Sequence, residues 1–151
     1  MPLKPLPGSA VALQHPAATW REAVLAAGRG LERCGAVDPA YSRRMIEQID
    51  VLGPYIVIAP GLALAHARPG NDVLADGLSV VTLARPVPFG HAANDPVSVV
   101  IGIASTRAHG HLGVVAGLAD VLSRPDAVAA LAAARTVRGV NAVLTDGVRH
   151  E

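Results

Sequence analysis

Apolar residues recur every three or four positions in "TWREAVLAAGRGLERC", residues 19 to 34, and place Trp20, Ala23, Val24, Ala27, Leu31 and Cys34 on one helical face. Thr19 with Glu22 three residues on is a capping box, which satisfies two otherwise orphaned amides, and Gly35 follows where a left-handed stop is wanted. The start signal repeats at Asp38 and Pro39. Behind it Tyr41, Met45, Ile46 and Ile49 predict a second amphipathic helix that ends before Gly53, so the two form a helical hairpin.

The pattern then shortens. "YIVIA" from 55, "LSVVTLA" from 78 and "VSVVIGIAS" from 97 are β-branched runs bounded by Gly, Pro, Asn and Asp, and each predicts a strand. The third shows no polar alternation, as expected of a central strand covered on both faces. "HLGVVAGLADVLSR" returns to helical spacing through Leu112, Val115, Leu118, Ala119 and Leu122. Shorter helices follow at about 125 to 134 and at 137 to 144, the last with Val137, Val140, Val143 and Leu144 inward. With no internal repeat and no dividing linker, the expectation is one α/β domain with helices on both faces of the sheet. "MPLKPLPGSAVALQHP" reads as a tail whose prolines forbid an early helix.

Composition narrows the function. The chain has 151 residues, half of them apolar and only 3% aromatic, so the core is built from Ala, Val, Leu and Ile. Thirteen Lys and Arg against twelve Asp and Glu leave a formal charge of +1, and no basic block is dense enough to track a phosphate backbone; nucleic acid is not an expected partner. A single cysteine, Cys34, excludes an internal disulfide and a cysteine-based zinc cluster. No secretory signal and no charge-free apolar run of membrane-spanning length is present, so a cytoplasmic location is expected.

The candidate chemistry lies in turns. In "GPYIVIAPGLALAHARPGND", residues 53 to 72, the strand gives way at Pro60 and Gly61, and His66 follows with Arg68 beside it. "RAHGHLGVV" sets His109 and His111 between the third strand and its helix, and "FGHAANDPV" adds His91 and Asp95 before that strand. Strand-end turns are where α/β folds keep reactive groups. A structural histidine bonded to nearby carbonyls is the plain reading of each. Zinc takes three or four ligands at recognisable spacing, and neither an HxxxH helix nor a carboxylate pair is present. A neutral imidazole also suits nucleophilic attack on phosphorus, giving a labile P–N bond. A loose phosphoryl transition state needs little beyond donors, which a second imidazole and the amides from Gly110 to Leu112 can supply.

Three stretches, "GPYIVIAPGLALAHARPGNDV", "TLARPVPFGHAANDPVSVVIGIAS" and "HGHLGVVAGLADVLS", together resemble the IIA component of the bacterial phosphoenolpyruvate-dependent sugar phosphotransferase system. The likeness is to the mannitol and fructose superfamily, nearest its ascorbate branch, and runs in order from about Thr19 to Leu144. It implies a mixed sheet flanked by helices; the domain is expected over residues 11 to 145, with a flexible tail at 1 to 10 and a frayed end at 146 to 151. It implies that His66 is phosphorylated and that His111 assists as a donor to the phosphoryl oxygens. Arg68, His91 and Asp95 are further candidate binding residues, with no cofactor and no metal. The implied partners are the histidine phosphocarrier protein, from which His66 takes the phosphoryl group, and a IIB component, whose cysteine receives it; the membrane IIC component is reached only indirectly. Self-association as a homodimer is left open. A shallow apolar surface at the "APGLALA" turn is expected to dock both partners. Two departures matter: Ala65 stands where the family usually has proline, and Ile46 to Ile49 lack the arginine common in the mannitol branch.

Three alternatives stay open: a regulatory paralogue like the nitrogen-related branch, a metal-dependent hydrolase using His66, His91 and His111, and an interaction domain whose phosphorylation site has decayed.

Overall fold

The structure, a computed structural model, describes residues 4–107 and 112–146. The elements are β1 (Val11–His15), α1 (Trp20–Arg33), α2 (Ala40–Leu52), β2 (Val57–Ala59), β3 (Leu62–Ala65), β4 (Gly77–Val87), β5 (Val97–Ala104), α3 (Leu112–Leu122), α4 (Ala127–Ala133) and α5 (Val137–Asp146). They build one five-stranded sheet in the order β1-β4-β5-β3-β2. The sheet is mixed: β1 runs parallel to β4 and β3 parallel to β5, whereas β4–β5 and β2–β3 pair antiparallel. β5 is central, as its unbroken apolar run requires. Val99, Ile101 and Ile103 pack with Leu118, Leu131, Val140 and Leu144 of α3, α4 and α5 on one side. Val100 faces Leu31, Tyr41 and Met45 of α1 and α2 on the other. Both faces of the sheet are therefore covered by helices.

Local chemistry sets the helix ends. Thr19 accepts the amide of Glu22 at 3.3 Å, while Glu22 Oε1 reaches one residue further back than a capping box requires and takes the amide of Ala18 at 3.0 Å. At the other end Gly35 has φ +83°, with Gly35 N bonded to Glu32 O at 3.0 Å and Ala36 N to Leu31 O at 2.9 Å, the paired bonds of a Schellman stop. Asp38 caps α2, accepting the amide of Ala40 on Oδ1 at 2.9 Å.

The helical hairpin depends on one close approach. A Cβ built on Gly28 would fall 2.0 Å from Ser42 Oγ and 2.8 Å from Ser42 Cβ, so only glycine lets α1 and α2 meet here. Gly28→Ala is expected to cost about 1–3 kcal/mol through overpacking, seen as a lower urea midpoint at unchanged slope.

Two strands correct the sequence reading. Val11–His15, read within the tail, is the edge strand β1, and upstream Leu6 exchanges two hydrogen bonds with Asn141 of α5, at 2.7 and 3.0 Å. The tail at 1 to 10 is thus tied down from Leu6 onward. Leu62–Ala65, read as turn, is β3, paired residue for residue with Leu62↔Val99 through Ala65↔Gly102. Of the frayed end expected at 146 to 151, Asp146 is the last residue of α5, and 147 to 151 lie outside the described residues. No helix among the described residues is long and apolar enough to cross a membrane.

Candidate functional site

β3 delivers His66 to the C-terminal end of the sheet, directly after Ala65, which pairs with Gly102 of β5. The end of α2 reaches the same place, because the chain turns at Gly53 into Tyr55 and β2. Together they frame an open cleft of about 780 Å³ whose walls include Gln48 and Leu52 of α2, Tyr55, His66, Arg68 and Ser105. Exposed apolar side chains line it: Leu52 is 63% exposed and Tyr55 39%. Of the expected docking surface at "APGLALA", Leu62, Ala63 and Ala65 are 0% exposed within the sheet, and Leu64 lines the cleft. Exposed apolar surface next to His66 comes from the end of α2.

The imidazole is oriented by its own strand. His66 Nδ1 lies 3.0 Å from the carbonyl oxygen of Leu64. A carbonyl can only accept, so Nδ1 carries the proton and the neutral ring keeps a free lone pair on Nε2. Tyr55 stands edge-on to the ring, with centroids 5.7 Å apart and planes at 86°.

The turn after His66 is held from α2. The buried hydroxyl of Tyr41 accepts the amide of Ala67 at 2.9 Å and donates to the carbonyl of Ile103 at 2.7 Å. Arg44 donates from Nη2 to the carbonyl of Arg68 at 2.7 Å, and grips Asp72 with Nε and Nη2, each at 2.7 Å. Its guanidinium also lies 5.4 Å from the centre of the Tyr41 ring. Burial raises the Tyr41 and Tyr55 hydroxyls above the usual phenol range. The Arg44 hydrogen bond holds the Asp72 carboxyl below its ordinary value, and the same bond raises Arg44. Sequence reading placed Tyr41 on a packed helix face, but had no signal that Tyr41, Arg44 and Asp72 would meet beside His66.

A pH dependence follows from Asp72. A carboxyl depressed on folding adds stability that is complete above its unfolded pKa, about 3.9, and is lost as pH falls through the lower folded value. Asp72→Asn is expected to lower stability at pH 7 and to flatten the stability profile below about pH 4, as thermal melts across that range would show.

Of the other candidates, Arg68 shares the cleft with His66; it is exposed, and among the described residues its guanidinium has no ion-pair partner. His91 and Asp95 are elsewhere. Their loop precedes Val97, and Asn94 O accepts the amide of Gly61 at the start of β3, so they sit at the far end of β3 and β5, roughly 20 Å from His66 at ordinary strand rise. Asp95 Oδ2 accepts the amides of Phe89, Gly90 and His91, and His91 Nδ1 accepts those of Ala93 and Asn94. Both side chains hold a turn. A metal shared by His66 and His91 is excluded by this separation, and among the described residues no cluster of three His, Cys, Asp or Glu could hold an ion. His109 and His111 lie outside the described residues.

The architecture defines an α/β domain that presents a tautomer-fixed histidine at a strand end beside exposed apolar side chains. The profile of the family described as "Phosphoenolpyruvate-dependent sugar phosphotransferase system, EIIA 2" matches residues 5–147, and the chain belongs to that family, whose members are phosphotransferase carriers. It is 41% identical over 103 residues to the ascorbate-specific PTS system EIIA component of Salmonella choleraesuis strain SC-B67, covering 68% of this chain and 67% of the relative. Its structure is similar to IIA mannitol of Escherichia coli, with a TM-score of 0.81 and 28% identity over 92% of this chain and 98% of that one. It is also similar to a chain in the complex of mannitol enzyme IIA and phosphorylated enzyme IIB of Escherichia coli, with a TM-score of 0.82 and 27% identity over 93% of this chain and 97% of that one.

Proposed function

We propose that His66 carries a phosphoryl group from the histidine phosphocarrier protein to a cysteine of a IIB component. The observation that carries this reading is the Nδ1 contact with Leu64 O at 3.0 Å, which leaves Nε2 as the nucleophile. Nε2 attacks the phosphorus of the donor phosphohistidine; the new P–N bond forms as the old one breaks, and the bonding pair returns to the donor ring. Substitution leaves the His66 ring positively charged, and the Nδ1–H to Leu64 carbonyl bond stabilises that charge. In the second transfer a cysteine thiolate attacks, the S–P bond forms and the Nε2–P bond breaks, regenerating the same neutral tautomer. Neither transfer requires a proton to enter or leave His66.

The transition state spreads charge over three equatorial oxygens. Arg68, an exposed cation in the same cleft, suits one of them, and His111 is assigned another on the resemblance alone. The exposed apolar side chains of Leu52 and Tyr55 beside His66 suit partners that must bind in turn and leave, through modest interfaces. A IIB component as acceptor is supported by the mannitol IIA–IIB complex, whose IIA chain shares this fold. Identity to an ascorbate-specific component supports ascorbate or a related carbohydrate as the sugar, in preference to a regulatory role. The carrier role belongs in the cytoplasm.

The test supplies phosphoenolpyruvate, Enzyme I and the phosphocarrier protein to the purified chain and weighs the product. One phosphoryl group, about 80 Da, is expected, and it should disappear when a cognate IIB domain is added. No gain with an active phosphocarrier would overturn the reading.

A further inference from the structure

Ala65, which precedes His66, has no ring to fix φ, so the orientation of the imidazole depends on what holds the backbone around it. On the strand side, among the described residues, the ring is restrained by Leu64 O, with Tyr55 edge-on beside it. On the other side two residues of α2 hold the next two peptide groups. Tyr41 is 0% exposed, and its hydroxyl bridges the Ala67 amide and the Ile103 carbonyl. Arg44 holds the Arg68 carbonyl while its guanidinium is fixed by both oxygens of Asp72. The geometry points to Tyr41 and Arg44 as positioning residues for the transfer: they fix the height of the His66–Arg68 turn, so that Nδ1 meets Leu64 O and Nε2 faces the incoming phosphorus. This rests on the phosphocarrier role proposed above.

Two conservative variants separate this from a general effect on folding. Tyr41→Phe keeps the ring and removes the bridge. Arg44→Lys keeps the charge but not the planar fork that serves Arg68 O and Asp72 together. Long-range proton–nitrogen NMR on the free protein reads the His66 tautomer without any donor, and steady-state transfer from the phosphorylated phosphocarrier protein reads kcat and KM separately. In both variants the His66 ring is expected to shift from the Nδ1–H form to a mixture of tautomers. The value of kcat should fall roughly tenfold or more, with KM within about twofold of wild type.

Wild-type tautomer and kcat in the folded variants would overturn the proposal. Should Tyr41→Phe fail to fold, the half-exposed Arg44→Lys decides alone. A wild-type chain that accepts no phosphoryl group would instead overturn the proposed function, and the tautomer measurement would still decide whether these residues set the ring.

Discussion

His66→Ala is expected to abolish phosphoryl acceptance, by on the order of a thousandfold or more, while leaving the fold intact. Removing a nucleophile removes the bond-forming atom itself, and the surrounding donors cannot replace it. The ring is half-buried at the edge of an open cleft and makes one hydrogen bond, to Leu64 O, so its loss should shift the melting temperature little. His91→Ala is the informative control. That ring accepts the amides of Ala93 and Asn94 at the opposite end of the sheet, so the variant should lose about 1 kcal/mol of stability and accept phosphate at the wild-type rate. Mass spectrometry of the phosphorylation reaction, with thermal melts of the same samples, checks both halves.

Tyr41→Ala is expected to produce the largest loss of stability of any change discussed, about 3–5 kcal/mol for the ring alone. The side chain is 0% exposed in the core shared by α1, α2 and the sheet, among the largest fully buried side chains. Its hydroxyl also partners Ala67 N and Ile103 O, and a buried group left unpaired costs a further ~1–3 kcal/mol. For a chain of this length the combined loss corresponds to a fall in melting temperature of roughly 10 °C or more. Tyr41→Phe, which loses the bridge but keeps the ring, should fall by only the smaller part. Urea denaturation of the three proteins separates the ring from the hydroxyl.

These two residues also show how far a sequence reading carries. α1 was legible because its determinants are local: Thr19, Glu22 and Gly35 act within one turn of the residues they cap, and apolar spacing marks the buried face. β5 was legible because "VSVVIGIAS" shows no polar alternation, as expected of a central strand covered on both faces. β3 was not. "LALA" has no β-branched residue and follows β2 after only Pro60 and Gly61; its strand conformation comes from parallel pairing with β5, a contact made across more than thirty positions of chain. β1 was hidden in the same way, its pairing with β4 lying nearly seventy residues away.

At the site, His66 was found because it sits in a small-residue turn, and the carbonyl that sets its tautomer is only two residues back. His91 and Asp95 read first as a turn, and the antiparallel β4–β5 hairpin carries their loop to the opposite end of the sheet from His66. Tyr41 and Arg44 gave no chemical signal because a tyrosine and an arginine on a helix are ordinary core and surface residues. Their meaning appears only when α2 packs over the turn after His66.

The most direct measurement is the position of the phosphoryl group on the ring. The chain is phosphorylated by phosphoenolpyruvate, Enzyme I and the phosphocarrier protein, and phosphorus coupling is read in long-range proton–nitrogen NMR spectra of the histidines. Phosphorus coupled to Nε2 of His66, in a bond labile to acid and stable to base, is the predicted result; coupling to His66 Nδ1, or a phosphoryl group on any other residue, would contradict it.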